Sequence, residues 1–248
     1  MMQASQQKPC ILILGMHRSG TSCLAGSLQQ QGVYLGEVHE WNPHNLKGNR
    51  ENPNIMALNE GLLVANHGSW DHPPPQSLRW TAEQAQQRDQ LIQALSVQAK
   101  QAWGFKDPRT LINLSFWREG LQDRYTTQPI GTFRHPLAVA QSLYKRNGTP
   151  LEDGLALWYE YNKRLLACWE QQPFPVLSFD VAPEIYSKNF KQACEALSLD
   201  LKLVEQPFFE NQLRATTSDL LVTEEAIKDS SYLECYARLQ TIYHHWAS

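Results

Sequence analysis

The chain has 248 residues, of which 42% are hydrophobic and 19% are charged, and its formal net charge is −3. This composition is typical of a globular protein, and the lack of a long basic run disfavours general binding to nucleic acid. The five scattered cysteines contain no C-x-x-C pair, which argues against a disulfide framework or a zinc site. We expect a cytoplasmic protein without a membrane span, because the apolar stretches are too short for a span or a signal peptide.

Apolar runs of strand length alternate with helical patterns, which indicates an α/β protein with helices on the faces of a mostly parallel sheet. We predict a single domain over residues 1–248. Its first elements are a strand at 11–15, a helix at about 21–31, a short strand or turn in "VYLG", a helix in "NIMALNEGLLVANHG", and a helix from Thr81, capped with Gln84, to about 102. The later ones are strands in "WGFKDPRT", "PIGTFRHP" and "FPVLSFD", and helices at 137–146, 151–171 and 183–197. The last fifty residues are less periodic.

Residues 37–102 depart from this alternation and predict an insertion of loops and helices. Asn, His, Pro and Gly are frequent over 37–53, which favours an ordered loop, and the three prolines of "SWDHPPPQSLRW" cannot continue a helix. Trp70 and Trp80 bracket these prolines. They would either line a pocket for a ring-shaped substrate or pack in the core of the insertion.

The stretch "GMHRSGTS" joins the first predicted strand to the first predicted helix. Its glycines have the spacing of a P-loop, but Thr21 stands where a P-loop has its lysine. A strand that enters a helix through such a turn directs backbone N–H groups and the positive helix terminus at one point, which favours a bound anion. The groups available are Gly15 and Gly20 for the turn, Thr21 and Ser22 as hydroxyl donors, and Arg18 as a fixed charge. The alternative is an ordinary turn in which Ser19 caps the helix.

A second candidate site lies in "FRHPLAVAQSL". Arg134 ends a predicted strand, and Ser142 follows eight residues later, about two turns along a helix that begins at Pro136. The matching strand of a P-loop nucleotidase usually ends in an aspartate that helps to hold Mg²⁺. An arginine at that point suits an additional phosphate, so we expect no metal. The alternative is an arginine paired with a surface carboxylate.

The third candidate site is "WGFKDPRT". Lys106, Asp107 and Arg109 cluster where a predicted strand ends, at the edge where open parallel sheets bind ligands. Lys106 would replace the lysine that is missing from the loop. The alternative is a local salt-bridge cluster that closes the turn.

"GMHRSGTS" followed by "FRHPLAVAQS" resembles the sulfotransferases that use 3′-phosphoadenosine 5′-phosphosulfate (PAPS). The resemblance implies a three-layer, P-loop-like fold, a 5′-phosphosulfate loop and a 3′-phosphate site. "KDPRT", "GNRENPNIMALNEGLL" and "FFENQLRAT" also resemble segments of bacterial members, whereas the R-K-G-x-x-G motif of the animal cytosolic enzymes is absent. The implied donor-binding residues are Arg18, Ser19, Gly20, Thr21, Ser22, Arg134 and Ser142, with Arg214 as a substitute for the absent motif.

The resemblance implies transfer of a sulfonate group to a hydroxyl or amine of a glycan, lipid or small molecule, with 3′-phosphoadenosine 5′-phosphate (PAP) as the product. Arg18 and Lys106 would stabilise charge on the bridging oxygen without a metal. The insertion at 37–102 would form the acceptor side. The candidate general bases are Glu37, His39, Glu40, His44 and Glu51, of which we favour Glu51 because it precedes the predicted helix in "ENPNIMALNEGLL".

Two other functions stay open at this point. A P-loop kinase is disfavoured by Thr21 in the loop and by the lack of an aspartate at the end of the strand before Arg134. A nucleotide-binding protein without catalytic activity is disfavoured by the retention of four residues of these motifs, Arg18, Lys106, Arg134 and Ser142.

Overall fold

The computed structural model describes residues 8–41, 48–74, 77–204, 208, 209, 227 and 229–247. The strands are β1 (Cys10–Leu14), β2 (Val33–Tyr34), β3 (Ala102–Lys106), β4 (Thr127–Phe133) and β5 (Val176–Ser178). The helices are α1 (Thr21–Gln30), α2 (Pro53–Ala65), α3 (Ala82–Gln98), α4 (Leu114–Leu121), α5 (Pro136–Asn147), α6 (Leu151–Gln171), α7 (Pro183–Ala196) and α8 (Ser230–Ala247). A short 3₁₀ helix, Pro108–Leu111, follows β3.

The five strands form one parallel sheet in the order β2-β3-β1-β4-β5. The chain first builds the side of the sheet that contains β2 and β3 and then crosses β1 to reach β4. Because parallel strands end at the same edge, the residues that follow β1, β3 and β4 lie beside one another. This edge next to a reversal of strand order is where open α/β sheets bind ligands.

The alternation of side chains along β1 divides the core into two layers. Cys10, Leu12 and Leu14 pack on one face with residues of α2, α3, α4, α6 and α8. Ile11 and Ile13 pack on the other face with residues of α1 and α7. Every residue of β1 is buried, as expected for a central strand that is covered on both sides. The predicted α/β architecture of three layers with a parallel sheet is therefore confirmed.

Most of the predicted elements are present, including the capping box, in which Thr81 and Gln84 exchange hydrogen bonds at the start of α3. The predicted end of that helix is wrong, because α3 stops at Gln98 and Ala102 already begins β3. Two helices were not predicted, α4 and the 18-residue α8. No helix in the described ranges is both long and apolar enough to cross a membrane.

Candidate functional site

The loop after β1 is a tight turn with unusual backbone angles. Gly15 has φ 153°, Arg18 has φ 66° and Gly20 has φ 87°, so three of its residues have positive φ. A Cβ on Gly15 would lie 2.6 Å from the backbone oxygen of Thr132, and one on Gly20 would overlap the ring of Phe179. The glycines are therefore required both by the backbone conformation and by the close packing of β4 and of the residues after β5.

The start of α1 differs from the ordinary turn considered above. Gly20 occupies the N-cap position, and no side chain caps the helix, so Ser19 does not act as the cap. The Ser19 backbone oxygen accepts a hydrogen bond from Thr132 Oγ1 at 3.0 Å, while its own Oγ is buried without a hydrogen-bond partner among the described residues. The first N–H groups of a helix also lack intrahelical partners. The loop thus combines an unpartnered hydroxyl with a positive helix terminus.

Arg18 connects this loop to α5. Its Nε donates a hydrogen bond to Ser142 Oγ at 2.8 Å, which joins the two motifs that were predicted to bind anions. Burial, together with the charges of Arg146 and Arg134, lowers the pKa of Arg18 to about 10. Three guanidinium groups therefore repel one another here, and a bound anion would relieve that repulsion.

Arg134 follows β4 directly and is buried, as is Ser142. Its Nε donates to Asp180 Oδ1 at 3.0 Å, and Asp180 Oδ2 accepts from the backbone N–H of His135 at 2.6 Å. The carboxylate partner considered as an alternative thus exists. Arg134 nevertheless lies close enough to Arg18 for its charge to lower the pKa of Arg18. Arg134 therefore has a carboxylate partner and also belongs to the group of cations near the loop.

Lys106, the last residue of β3, is buried and makes three contacts through Nζ. It donates to Glu51 Oε1 at 2.6 Å, to the backbone oxygen of Asn49 at 3.1 Å and to Ser22 Oγ at 3.3 Å. The structure therefore brings the predicted lysine and the favoured general base into direct contact, beside the loop. Glu51 and Lys106 are 4% and 3% exposed, so this ion pair is largely removed from solvent.

A second ion pair lies next to the first. Arg109 Nε donates to Asp107 Oδ1 at 2.9 Å, and Asn59 Nδ2 donates to Asp107 Oδ2 at 3.1 Å. Burial raises the pKa of Asp107, and the nearby charge of Glu51 also raises it, while Arg109 opposes the shift. The salt-bridge cluster considered as an alternative is thus present, and it extends from Glu51 and Lys106 to Arg109.

His17 was missed by the sequence analysis. Its ring lies 4.8 Å from the ring of Trp70 and 5.9 Å from that of Tyr161, measured between centroids. Its Nε2 is buried without a hydrogen-bond partner among the described residues. Burial lowers the pKa of His17 well below its usual value, and the charges of Arg109, Lys106, Arg146 and Arg18 lower it further. The imidazole is therefore neutral near pH 7. The only signal in the sequence is its position inside the loop.

Trp70 and Trp80 have different surroundings. Trp70 accepts a hydrogen bond at its backbone oxygen from Tyr161 at 2.8 Å and lies under the Arg146 guanidinium, 6.0 Å from the ring centroid. Trp80 packs against Phe116 in the core. Trp70 therefore contacts the loop through His17.

Three of the remaining predicted site residues lie on the surface. Glu37, His39 and Glu40 are exposed, and Glu40 pairs with Arg50 at 3.1 Å. His44 and Arg214 lie outside the described residues. Across the ranges that the structure describes, no cluster of three or more His, Cys, Asp or Glu side chains could hold a metal ion.

No family model matches the sequence, and no curated protein matches it either. Solved structures do match. The sulfotransferase domain of the olefin synthase from Synechococcus PCC 7002 is 16% identical with a TM-score of 0.50, and the match covers 98% of this chain and 95% of that domain. The sulfotransferase domain from the curacin biosynthetic pathway is 15% identical with a TM-score of 0.52, over 95% of this chain and 99% of that domain. The chain therefore has the fold of these sulfotransferase domains.

Proposed function

We propose that the protein is a sulfotransferase that moves a sulfonate group from PAPS to a hydroxyl or amine of an acceptor. The observation that carries the proposal is the hydrogen bond from Arg18 Nε to Ser142 Oγ at 2.8 Å. It joins the loop, which suits the 5′-phosphosulfate, to the middle of α5, which suits the 3′-phosphate. A donor with two separated anionic groups matches these two positions.

The described residues fit such a donor. The unpartnered Ser19 hydroxyl and the N–H groups at the start of α1 are suited to donate hydrogen bonds to an anion. Arg18 and Arg134 supply fixed charge, and their mutual repulsion favours an anionic ligand. Bound PAPS would supply an activated sulfonate together with PAP as its leaving group.

Lys106 and Glu51 would carry the chemistry. Lys106 Nζ lies 3.3 Å from Ser22 Oγ, beside the loop, where a cation would stabilise negative charge on the leaving oxygen. Glu51 would take the proton from the acceptor as general base, because its carboxylate is held beside Lys106 at 2.6 Å.

The acceptor side is part of this proposal. Within a single domain over 1–248, the insertion at 37–102 supplies Glu51 and Trp70, and Trp70 lies beside His17 of the loop. An aromatic ring at that place suits a glycan or another ring-bearing small molecule.

A binding experiment separates this function from its alternatives. Calorimetry should show tight binding of PAP without metal, and weaker binding of ATP with Mg²⁺. Ser142→Ala should weaken PAP binding about tenfold, since it removes a buried hydroxyl that assists a charged group. The exposed Ser115 of α4 offers a matched control, and Ser115→Ala should change nothing.

Two outcomes would contradict the proposal. Tighter binding of ATP with Mg²⁺ than of PAP would favour a kinase. Binding of PAP without transfer of label from PAPS to any glycan, lipid or phenol in a broad screen would favour a protein that binds the nucleotide without catalysis.

A further inference from the structure

Asn59 of α2 lies in a buried hydrogen-bond network next to the two ion pairs of the site. Its side chain is fully buried. Its Nδ2 donates a hydrogen bond to Asp107 Oδ2 at 3.1 Å. Its Oδ1 accepts one from the indole Nε1–H of Trp117 at 2.8 Å and another from Asn113 Nδ2 at 2.9 Å. The sequence analysis gave Asn59 no role.

These partners fix the direction in which the Asn59 amide faces. The indole N–H of Trp117 can only donate a hydrogen bond, and an ionised carboxylate can only accept one. The amide oxygen must therefore face Trp117, and the amide NH₂ group must face Asp107. A hydrogen bond donated to a carboxylate is stronger than one to a neutral group, so this contact stabilises the charged form of Asp107.

The charged form of Asp107 needs this support because the side chain is buried. Burial raises the pKa of Asp107, Arg109 opposes that rise, and the charge of Glu51 adds to it. The hydrogen bond from Asn59 lowers the pKa. Tyr161 of α6 also lies within reach of the Asp107 charge, but burial and this charge raise the pKa of Tyr161 well above its usual value. Tyr161 is therefore neutral, and Asn59 helps Arg109 to keep the carboxylate ionised.

The charge of Asp107 affects Glu51 through Arg109. Arg109 Nε contacts Asp107 Oδ1 at 2.9 Å, and the charge of Glu51 also acts on Arg109. If Asp107 took up a proton, the charge of Arg109 would no longer be offset at this contact and would act more strongly on Glu51. Glu60 also contacts Arg109, but it is half-exposed, so solvent screens its charge. Glu51 already pairs with Lys106, and a carboxylate that faces two cations is a weaker proton acceptor.

We propose that Asn59 is a positioning residue for sulfonate transfer, which acts through Asp107 by holding that carboxylate in its charged form beside Arg109. This inference rests on the proposed function, in which Glu51 is the general base. Asn59 contacts neither donor nor acceptor, and it sets the charge that the general base faces. Because α2 begins two residues after Glu51, the same hydrogen bond also connects the helix next to the general base with the end of β3.

Carbon NMR of the Asp107 carboxyl group tests this charge directly, with Asp107→Asn to assign the signal. Asn59→Leu should raise the midpoint of the Asp107 titration by about one to two pH units, the range expected for a hydrogen bond to a charged group. The acid limb of turnover against pH, measured by transfer of label from PAPS to the acceptor found in the screen, should move the same way. The affinity for PAP should stay within about twofold. Asn54→Leu, at an exposed asparagine of the same helix, is the matched control and should change none of these values.

A charge exchange gives a second test that does not depend on the folding of Asn59→Leu. The double variant Asn59→Asp with Asp107→Asn retains the network, because a carboxylate at 59 accepts from Trp117 and Asn113 and an amide at 107 donates to it. Only the charge moves, from position 107 to position 59. The midpoint of urea denaturation should be closer to the wild type than that of Asn59→Asp alone, in which two carboxylates face each other. Turnover of the double variant should still be at least about tenfold below the wild type, since Arg109 then acts on the general base.

Four outcomes would overturn the inference. An unchanged titration of Asp107 in Asn59→Leu would mean that the amide does not hold the charge. An equal change in Asn54→Leu would indicate a general effect of substitution in α2. Full turnover of the double variant would mean that Asn59 serves only the fold. If the wild-type protein transfers no sulfonate from PAPS, the proposed function fails together with this inference. If the wild type transfers it and the Asn59 variants behave like the wild type, only this inference fails.

Discussion

Two charged clusters lie at the same edge of the sheet, and they differ in how their charges are balanced. The lysine–carboxylate cluster consists of Glu51, Lys106, Asp107 and Arg109, in which each cation contacts a carboxylate. The arginine cluster consists of Arg18, Arg134 and Arg146, in which only Arg134 has a carboxylate partner among the described residues. The first cluster is electrically complete within the chain, whereas the second has an excess of positive charge.

This difference indicates that the first cluster stabilises the fold, whereas the second is suited to bind a ligand. Buried ion pairs gain little net stability, but the loss of one partner is costly because it leaves a buried charge alone. Cations that repel one another lower stability, and such an arrangement is retained where an anion binds. Mutations in the lysine–carboxylate cluster should therefore change the stability of the fold and the rate of turnover. Mutations in the arginine cluster should mainly change the affinity for the ligand.

The largest expected effect is on turnover. Glu51→Gln keeps the shape of the side chain and its contact with Lys106 but removes the proton acceptor. Once an acceptor is found, kcat should fall by about 10²–10⁴, the usual contribution of a general base, while the affinity for PAP changes little. Steady-state kinetics and calorimetry on the same preparation measure both.

Glu60→Gln is the matched control, because Glu60 is a half-exposed carboxylate that pairs with Arg109 at 2.9 Å. It should leave kcat near the wild-type value. Near-normal turnover of Glu51→Gln would remove Glu51 from the mechanism and leave it with only a structural role beside Lys106.

The next effect is on stability. Lys106→Met leaves the Glu51 carboxylate buried without its cation and should lower the free energy of unfolding by about 3–5 kcal/mol. The double variant Lys106→Met with Glu51→Gln should recover much of this loss, because no lone charge remains. Urea denaturation of the three proteins checks both values.

Arg18→Met is the contrasting variant from the arginine cluster. It removes a cation that repels its neighbours, so stability should stay unchanged or rise while PAP binding is lost. A loss of stability as large as that of Lys106→Met would show that the two clusters do not differ as described.

The sequence predicted the part of the site that depends on strand ends. Gly15, Lys106 and Arg134 each follow or end an apolar run, and the carboxyl ends of parallel strands must share an edge. The contacts of Lys106 with Glu51 and of Arg18 with Ser142 were not predicted, because they also depend on how the insertion and α5 pack against this edge.

The sequence did not predict what depends on packing between distant segments. His17 and Arg146 both contact Trp70 only because the insertion folds against the loop and under α5. The helix α8 is a different case, because its buried residues, Cys235, Leu239, Ile242 and Tyr243, have helical spacing that the sequence analysis overlooked. The contacts of Trp70 depend instead on tertiary structure, which local periodicity does not encode.

The smallest effect concerns His17, which lies between the two clusters. Arg109 and Lys106 of the first, and Arg146 and Arg18 of the second, all lower its pKa in addition to burial. Below pH about 6.5 the unfolded chain binds a proton at this histidine and the folded protein does not. The free energy of unfolding should therefore decrease as the pH is lowered through this range. At pH about 5.5 the loss relative to neutral pH should be about 1.4 kcal/mol from this group alone.

His17→Phe should remove that part of the acid sensitivity, because phenylalanine keeps an aromatic ring between Trp70 and Tyr161 and does not titrate. Little stability should be lost at neutral pH, since Nε2 has no hydrogen-bond partner among the described residues. Urea denaturation at pH about 7.5 and about 5.5 measures the difference, with His39→Phe as a control at an exposed histidine. Equal acid sensitivity in His17→Phe and the wild type would mean that the imidazole is protonated in the fold. Burial and the neighbouring cations would then be too weak to keep His17 neutral.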